Sequence, residues 1–135
     1  MIEQFYDSQD FNKIDFRSKD LANIEFENCV FSSCDFSGMK LTSTIFSECQ
    51  FDNCNLSMSK LTNTSFKDVR FTDSKLVGLD FSGCNSFLLD LDFYNCQLNL
   101  GSFYKLKLIN TSFKKSSLKD VDFNETNLTN ADFSN

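Results

Sequence analysis

Apolar side chains recur along this chain with a period of five. In the stretch FENCVFSSCDFSGMKLTSTIFSECQF, residues 26–51, Phe26, Phe31, Phe36, Leu41, Phe46 and Phe51 stand at every fifth position. Polar or small residues fill the intervals. Neither an α-helix, with its period of 3.6, nor a half-buried strand, with its period of 2, produces that spacing. From Phe11 to Phe81 every fifth residue is Phe or Leu, fifteen positions without a miss. The phase breaks inside FSGCNSFLLDLDF, where seven residues separate Phe81 from Leu88, and from Leu88 to Phe133 the spacing of five holds for ten more positions. Phe and Leu together make 32 of 135 residues, about a quarter, so chance does not generate such a run.

A second period lies over the first. Every fourth centre gives Phe11, Phe31, Phe51, Phe71, Phe93, Phe113 and Phe133, all Phe even across the break. The next column reads Phe16, Phe36, Leu56, Leu76, Leu98, Leu118, and the third Leu21, Leu41, Leu61, Phe81, Phe103, Phe123. The fourth reads Phe26, Phe46, Phe66, Leu88, Leu108, Leu128. Residues twenty apart therefore share an environment, and the simplest backbone that does this is a coil of four five-residue sides. Stacked coils pair backbone to backbone at about 4.8 Å, and like rings then overlap as a ladder. The expected fold is an all-β, four-sided solenoid.

Finer features of each unit fit that reading. The residue two before each centre is small and expected inside, as at Cys29, Cys34, Thr44, Cys49, Cys54, Thr64 and Cys96, because a tight corner leaves little room. The residue just before the centre is often Asp or Asn, types that hydrogen-bond neighbouring backbone in turns. The expected organisation is an N-terminal cap segment at 1–10, with Met1, Ile2, Phe5 and Tyr6 folding over the first coil. The solenoid follows at 11–135, with a two-residue insertion between Phe81 and Leu88. A bare final coil exposes apolar side chains and unpaired backbone. Phe123, Leu128 and Phe133 at that edge point either to a homodimer by end-to-end coil stacking or to a chain that is a piece of a longer protein.

Units such as CDFSG, CNLSM, TNLTN and ADFSN resemble the A(D/N)LXX consensus of pentapeptide repeat proteins, and the resemblance runs over residues 11–135 in 25 tandem units. It implies a right-handed quadrilateral parallel β-helix of about six coils of four pentapeptides, in agreement with the stacking above. The segment SGCNSFLLDLDFYNCQLNLGSFYKLKL further resembles the middle of quinolone-resistance-type members. That second resemblance implies a DNA-mimicking protein that binds a type II DNA topoisomerase, protecting or inhibiting it. In such members projecting loops and a C-terminal dimerising helix matter for activity, whereas here two extra residues are expected to make at most a bulge, and residues 132–135 are not expected to form a helix.

Composition narrows the chemistry. There is no His, so Ser–His and Cys–His nucleophile pairs are absent. Nothing Gly-rich resembles a phosphate loop. Cys29, Cys34, Cys49 and Cys54 have a spacing that invites zinc, but tetrahedral coordination needs four sulfurs around one point. The coil sends these to two different corners of a filled tube, so they read as small buried hydrophobes. No catalytic, cofactor or metal residue is expected. A net charge of −6 disfavours a nucleic-acid partner. The longest apolar run, Phe87-Leu88-Leu89, is far short of a membrane span, and MIEQFYDSQD lacks the pattern of a signal peptide, so a cytoplasmic location is expected. The fourth side carries Glu25, Glu27, Glu48, Asp68 and Asp90 against Lys67 and Lys107, a mildly acidic face. The function these features point to is a non-catalytic, protein-interaction scaffold. Topoisomerase binding by DNA mimicry is the alternative.

Overall fold

The computed structural model describes residues 4–135. Ten short strands form: β1 (Phe5–Asp7), β2 (Asp10–Asn12), β3 (Glu25–Glu27), β4 (Val30–Ser32), β5 (Ile45–Ser47), β6 (Gln50–Asp52), β7 (Ser65–Lys67), β8 (Val69–Thr72), β9 (Leu91–Tyr94) and β10 (Phe113–Lys114). All pair in parallel, in two sheets ordered β1-β3-β5-β7 and β2-β4-β6-β8-β9-β10. The register steps by twenty: Phe11 pairs with Phe31, Phe31 with Phe51, and Phe51 with Phe71. On the other two sides single bridges repeat the offset, as in Asp15 to Asp35 to Asn55 and Lys40 to Lys60. A chain whose neighbour on every side lies twenty residues away is a four-sided coil, here a quadrilateral parallel β-helix. Among the described residues no helix is long and apolar enough to cross a membrane.

The corners explain how a backbone turns every five residues. Two positions after each centre, φ is positive at 21 non-glycine residues and at Gly38 and Gly78. Ser8, Asn28, Glu48 and Asp68 form one such corner column. No Val, Ile or Thr occupies any of these positions, because a β-branched side chain clashes in the left-handed region. Where the residue before a centre is Asp or Asn, it often braces the same corner. Asp35 Oδ1 accepts the backbone N–H of Ser37 at 2.9 Å, and Asn55, Asp80, Asp122 and Asp132 do the same two residues ahead.

The interior is a stack of rings. Along the first column, neighbouring centroids lie between 4.7 and 5.5 Å apart with planes within 16° of parallel. Across the tube the rings meet edge-on, as for Phe31 and Phe36 at 5.4 Å and 76°. Both arrangements suit the ring quadrupole. The small residues inside the corners also donate hydrogen bonds. Thr44 Oγ1, Thr64 Oγ1, Cys49 Sγ and Cys54 Sγ each reach the carbonyl of the centre 23 residues earlier, at 2.8, 2.6, 3.3 and 3.2 Å. At Gly101 even a methyl is too much, since a Cβ there would stand 2.9 Å from the Leu79 carbonyl oxygen.

Two expectations are corrected. Residues 5–10 are not a separate cap: β1 pairs with β3, and the Tyr6 ring stacks on Phe26 at 5.2 Å, so Tyr6 is already a centre. Phe5 is exposed, and Met1 and Ile2 lie outside the described residues. Leu88 is not a centre of the fourth column. It is 63% exposed, at a corner, with φ of 57°. The offset of twenty holds to Asn85, which bridges Ser65, and becomes 22 at Leu91, which pairs with Val69. The two extra residues thus lie between Asn85 and Leu91, and Ser86 holds the place counted to Leu88. Asn85 fixes this choice, because its Oδ1 accepts the Phe87 N–H as a residue before a centre does.

Two substitutions test these forces. Phe51 is fully buried between ring neighbours at 4.7 Å on both sides, so Phe51→Ala is expected to cost about 3–5 kcal/mol in urea denaturation. Phe133→Ala, at a ring 46% exposed, costs much less. Leu100 is 63% exposed with φ of 65°. A left-handed Leu costs about 1–2 kcal/mol, so Leu100→Asn raises the melting temperature and Leu100→Val lowers it.

Candidate interaction surface

The five acids expected to form a face do lie on the fourth side and its corner, but they do not run its length. Glu25 and Glu27 flank Phe26 in β3, half-buried. Glu48 and Asp68 are exposed at the corner on successive coils, with φ of 52° and 55°. Together with Asn28, Gln50 and Arg70 they line a shallow groove of about 250 Å³. Asp90 stands at the insertion, where burial first, then the nearby charges of Asp92 and Asp68, push its carboxyl up while Arg70 opposes them. Among the described residues none of the five makes an ion pair. Lys67 interrupts the acids, and on the next coil Leu88 takes the corner position that Asp68 holds below it.

Above that point the same side changes character. Phe87 is 66% exposed and Ile109, one coil on, 48%. Lys67 lies over the Phe87 ring, Nζ 5.9 Å from its centroid. Ser86 is exposed where the column calls for a large inward residue, and Leu89 packs partly against the core instead. Phe66, which stacks nearly parallel on Phe46, meets Phe81 at a tilt of 56° next to this gap. The backbone ladder also opens here. At the equivalent place on other coils, the N–H of Ile45, Ser65, Asn85 and Asn127 reaches the carbonyl of Ile24, Thr44, Thr64 and Leu106. Among the described residues, the Lys107 N–H and the Cys84 carbonyl have no such partner. The result is a groove of about 340 Å³ between two coils, lined by Ser86, Leu88, Leu89, Lys105, Leu106 and Lys107.

The sequence reading weighed the insertion around Cys84, Asn85, Ser86 and Phe87 and allowed it at most a bulge; it missed the groove and the exposed apolar cluster, although it had noted the Phe87-Leu88-Leu89 run. The signal available was three apolar residues in a row at the one place where the repeat fails. The cysteines, by contrast, lie where expected. All six are buried free thiols, and burial pushes Cys49 and Cys54 up to about 12 and Cys84 and Cys96 up to about 11.

Comparison with known proteins agrees with this geometry. A profile of the pentapeptide repeat region matches residues 4–81 and 44–108, and one of eight pentapeptide repeats matches 102–135. Among solved structures, a trypsin-treated variant of QnrB1, described as a plasmid-mediated fluoroquinolone resistance protein, aligns over 94% of this chain and 73% of its own. The two are 22% identical, with a TM-score of 0.59. Rfr23, a pentapeptide repeat protein from the cyanobacterium Cyanothece 51142, aligns over 97% and 84% at 12% identity and a TM-score of 0.31. The QnrB1 likeness is one of fold. No curated protein matches the sequence.

The thiols give a pH prediction. The folded chain holds these protons well above the ordinary value of 9.0, whereas the unfolded chain releases them there. Between pH 9 and 12 the native state therefore binds more protons, and stability falls as pH rises through that window. Denaturation midpoints measured from pH 8 to 11 should be flat up to about 9 and then decline. Ellman's reagent at pH 8 should react slowly with native protein and with six thiols after unfolding.

Proposed function

The chain belongs to the pentapeptide repeat family, and we propose that it acts as a non-catalytic scaffold that presents one side of a rigid rod to a protein partner. The observation that carries this reading is the exposed cluster of Phe87, Leu88 and Ile109 on the fourth side, where the rest of that side's surface is largely polar. Exposed apolar patches rimmed by polar groups mark protein contact sites. The rod supplies what such a site needs, since its backbone is held by hydrogen bonds on all sides and its core is filled by stacked rings. The alternative, that the chain mimics DNA and binds a type II topoisomerase, requires an acidic strip continuous along the axis. Lys67, Leu88 and Lys107 break that strip, which favours the scaffold. Association of copies end to end remains part of the proposal, as a contact that would cover Phe123, Leu128 and Phe133.

The reading is tested with a photo-reactive benzoylphenylalanine at position 87 and, as control, at position 60 on the third side, each expressed in the native host. A discrete protein adduct from position 87 and none from position 60 is expected; no adduct from 87, or the same adducts from both, overturns it. A gyrase supercoiling assay with and without a quinolone, expected to show neither inhibition nor protection, separates the alternative.

A further inference from the structure

We infer that the groove between residues 86–89 and 105–107 receives an acidic peptide segment of a partner protein, one apolar side chain seated over Leu89 and Leu106 and flanking carboxylates against Lys105 and Lys107. The inference rests on the scaffold reading and adds the chemistry of the partner. Three observations carry it. The groove exists because an inward side chain is missing: Ser86 is exposed at a position filled by Phe66 one coil below and Leu108 one coil above. An apolar side chain from outside would be withdrawn from water against Leu89 and Leu106, which line the groove.

The second observation is charge. Lys105 and Lys107 are both exposed and both line the groove, and among the described residues neither has an acidic partner. Lys105 instead lies over the Tyr104 ring, its Nζ 5.2 Å from the centroid. On the opposite corner stand Asp68 and Asp90. The site is therefore polar along its width, and carboxylates on the bound segment are favoured at the lysine edge and disfavoured at the other. Third, among the described residues the Lys107 N–H and the Cys84 carbonyl lack the backbone partner that this ladder position has on other coils. A peptide backbone offers the matching groups, which a simple apolar ligand does not.

The probe is a fluorescein-labelled peptide with a central Leu-Phe pair flanked by Asp and Glu, titrated with the full chain and followed by anisotropy. The control peptide carries the same pair flanked by Lys. Binding of the acidic peptide is expected to be about tenfold tighter than that of the control and to weaken with salt. Lys105→Glu combined with Lys107→Glu should reverse the preference. Glu is already tolerated at the left-handed corner positions 48 and 125, so the first of these changes is compatible with folding. Leu88→Asn, which suits its backbone, should weaken binding of both peptides, and Lys75→Glu, on the second side, should change neither. Circular dichroism and melting temperature confirm that each variant folds. Equal binding of the two peptides, preference for the basic one, or binding untouched by the lysine changes overturns the inference. Absence of binding by either peptide also overturns it. If adducts from position 87 persist in that case, the scaffold reading stands and only this partner chemistry fails.

Discussion

The left-handed residue at each corner is the constraint on which the rest of the structure depends. A parallel solenoid with five-residue sides must turn a sharp corner within one or two residues, four times per coil. At nearly every corner it does so by placing the residue two after the centre at φ between 52° and 66°, Ser18 and Gly83 being exceptions. A single conformation repeated in this way fixes the side length, and the side length fixes the offset of twenty. The sequence cost is visible. Those positions hold Asn, Asp, Ser, Gly, Lys and Glu almost throughout, and the residue before the centre supplies a carboxylate or amide that ties down the next N–H. Where Met58, Leu88 and Leu100 intrude, an unfavourable backbone is imposed by its neighbours, each of which is already paired above and below.

Stacking identical positions directly over one another has a second consequence. It helps aromatic rings, which overlap at separations near 5 Å, and it penalises like charges. The chain deals with the penalty unevenly. On the second side Asp15 lies over Asp35, and Arg17 reaches both, at 2.9 and 3.3 Å, holding the Asp15 carboxyl down to about 2. On the fourth side, among the described residues, Glu48 and Asp68 make no ion pair, although Arg70 lines the same groove. An uncompensated acidic column beside an open, lysine-edged groove gives this side a polarity along the axis and across it. A partner that fits in one orientation meets repulsion in the others.

Most of the fold was legible in the sequence because one amino-acid pattern, large apolar residues at every fifth place, encodes both periods. The ladder from Phe11 to Phe133 and the inward cysteines follow from it directly. The corner conformation was not legible, because Asn, Ser and Lys at a polar position look the same in any surface loop. Leu88 misled for a sharper reason. Counting back from Phe133 in fives arrives at Leu88, whereas counting forward from Phe81 arrives at Ser86, and hydrophobicity alone prefers Leu. What decides in favour of Ser86 is local: Asn85 before it braces the corner, and Cys84 suits the small inner position. The N-terminal centre was hidden in a similar way, since Tyr6 is neither Phe nor Leu.

The insertion also answers why a site should sit there at all. A perfect repeat offers a partner twenty-residue-periodic faces with no unique address, so any contact made at one coil can be made almost as well one coil along. Specificity needs a defect. Two additional residues shift the register from 20 to 22, put Ser86 at an inward position, open the backbone ladder locally and turn an apolar run outward. The side chains of Phe66 below and Leu108 above, both buried, keep the walls of that defect rigid. The same stacking that makes the rod featureless therefore makes its one interruption a defined and preorganised surface.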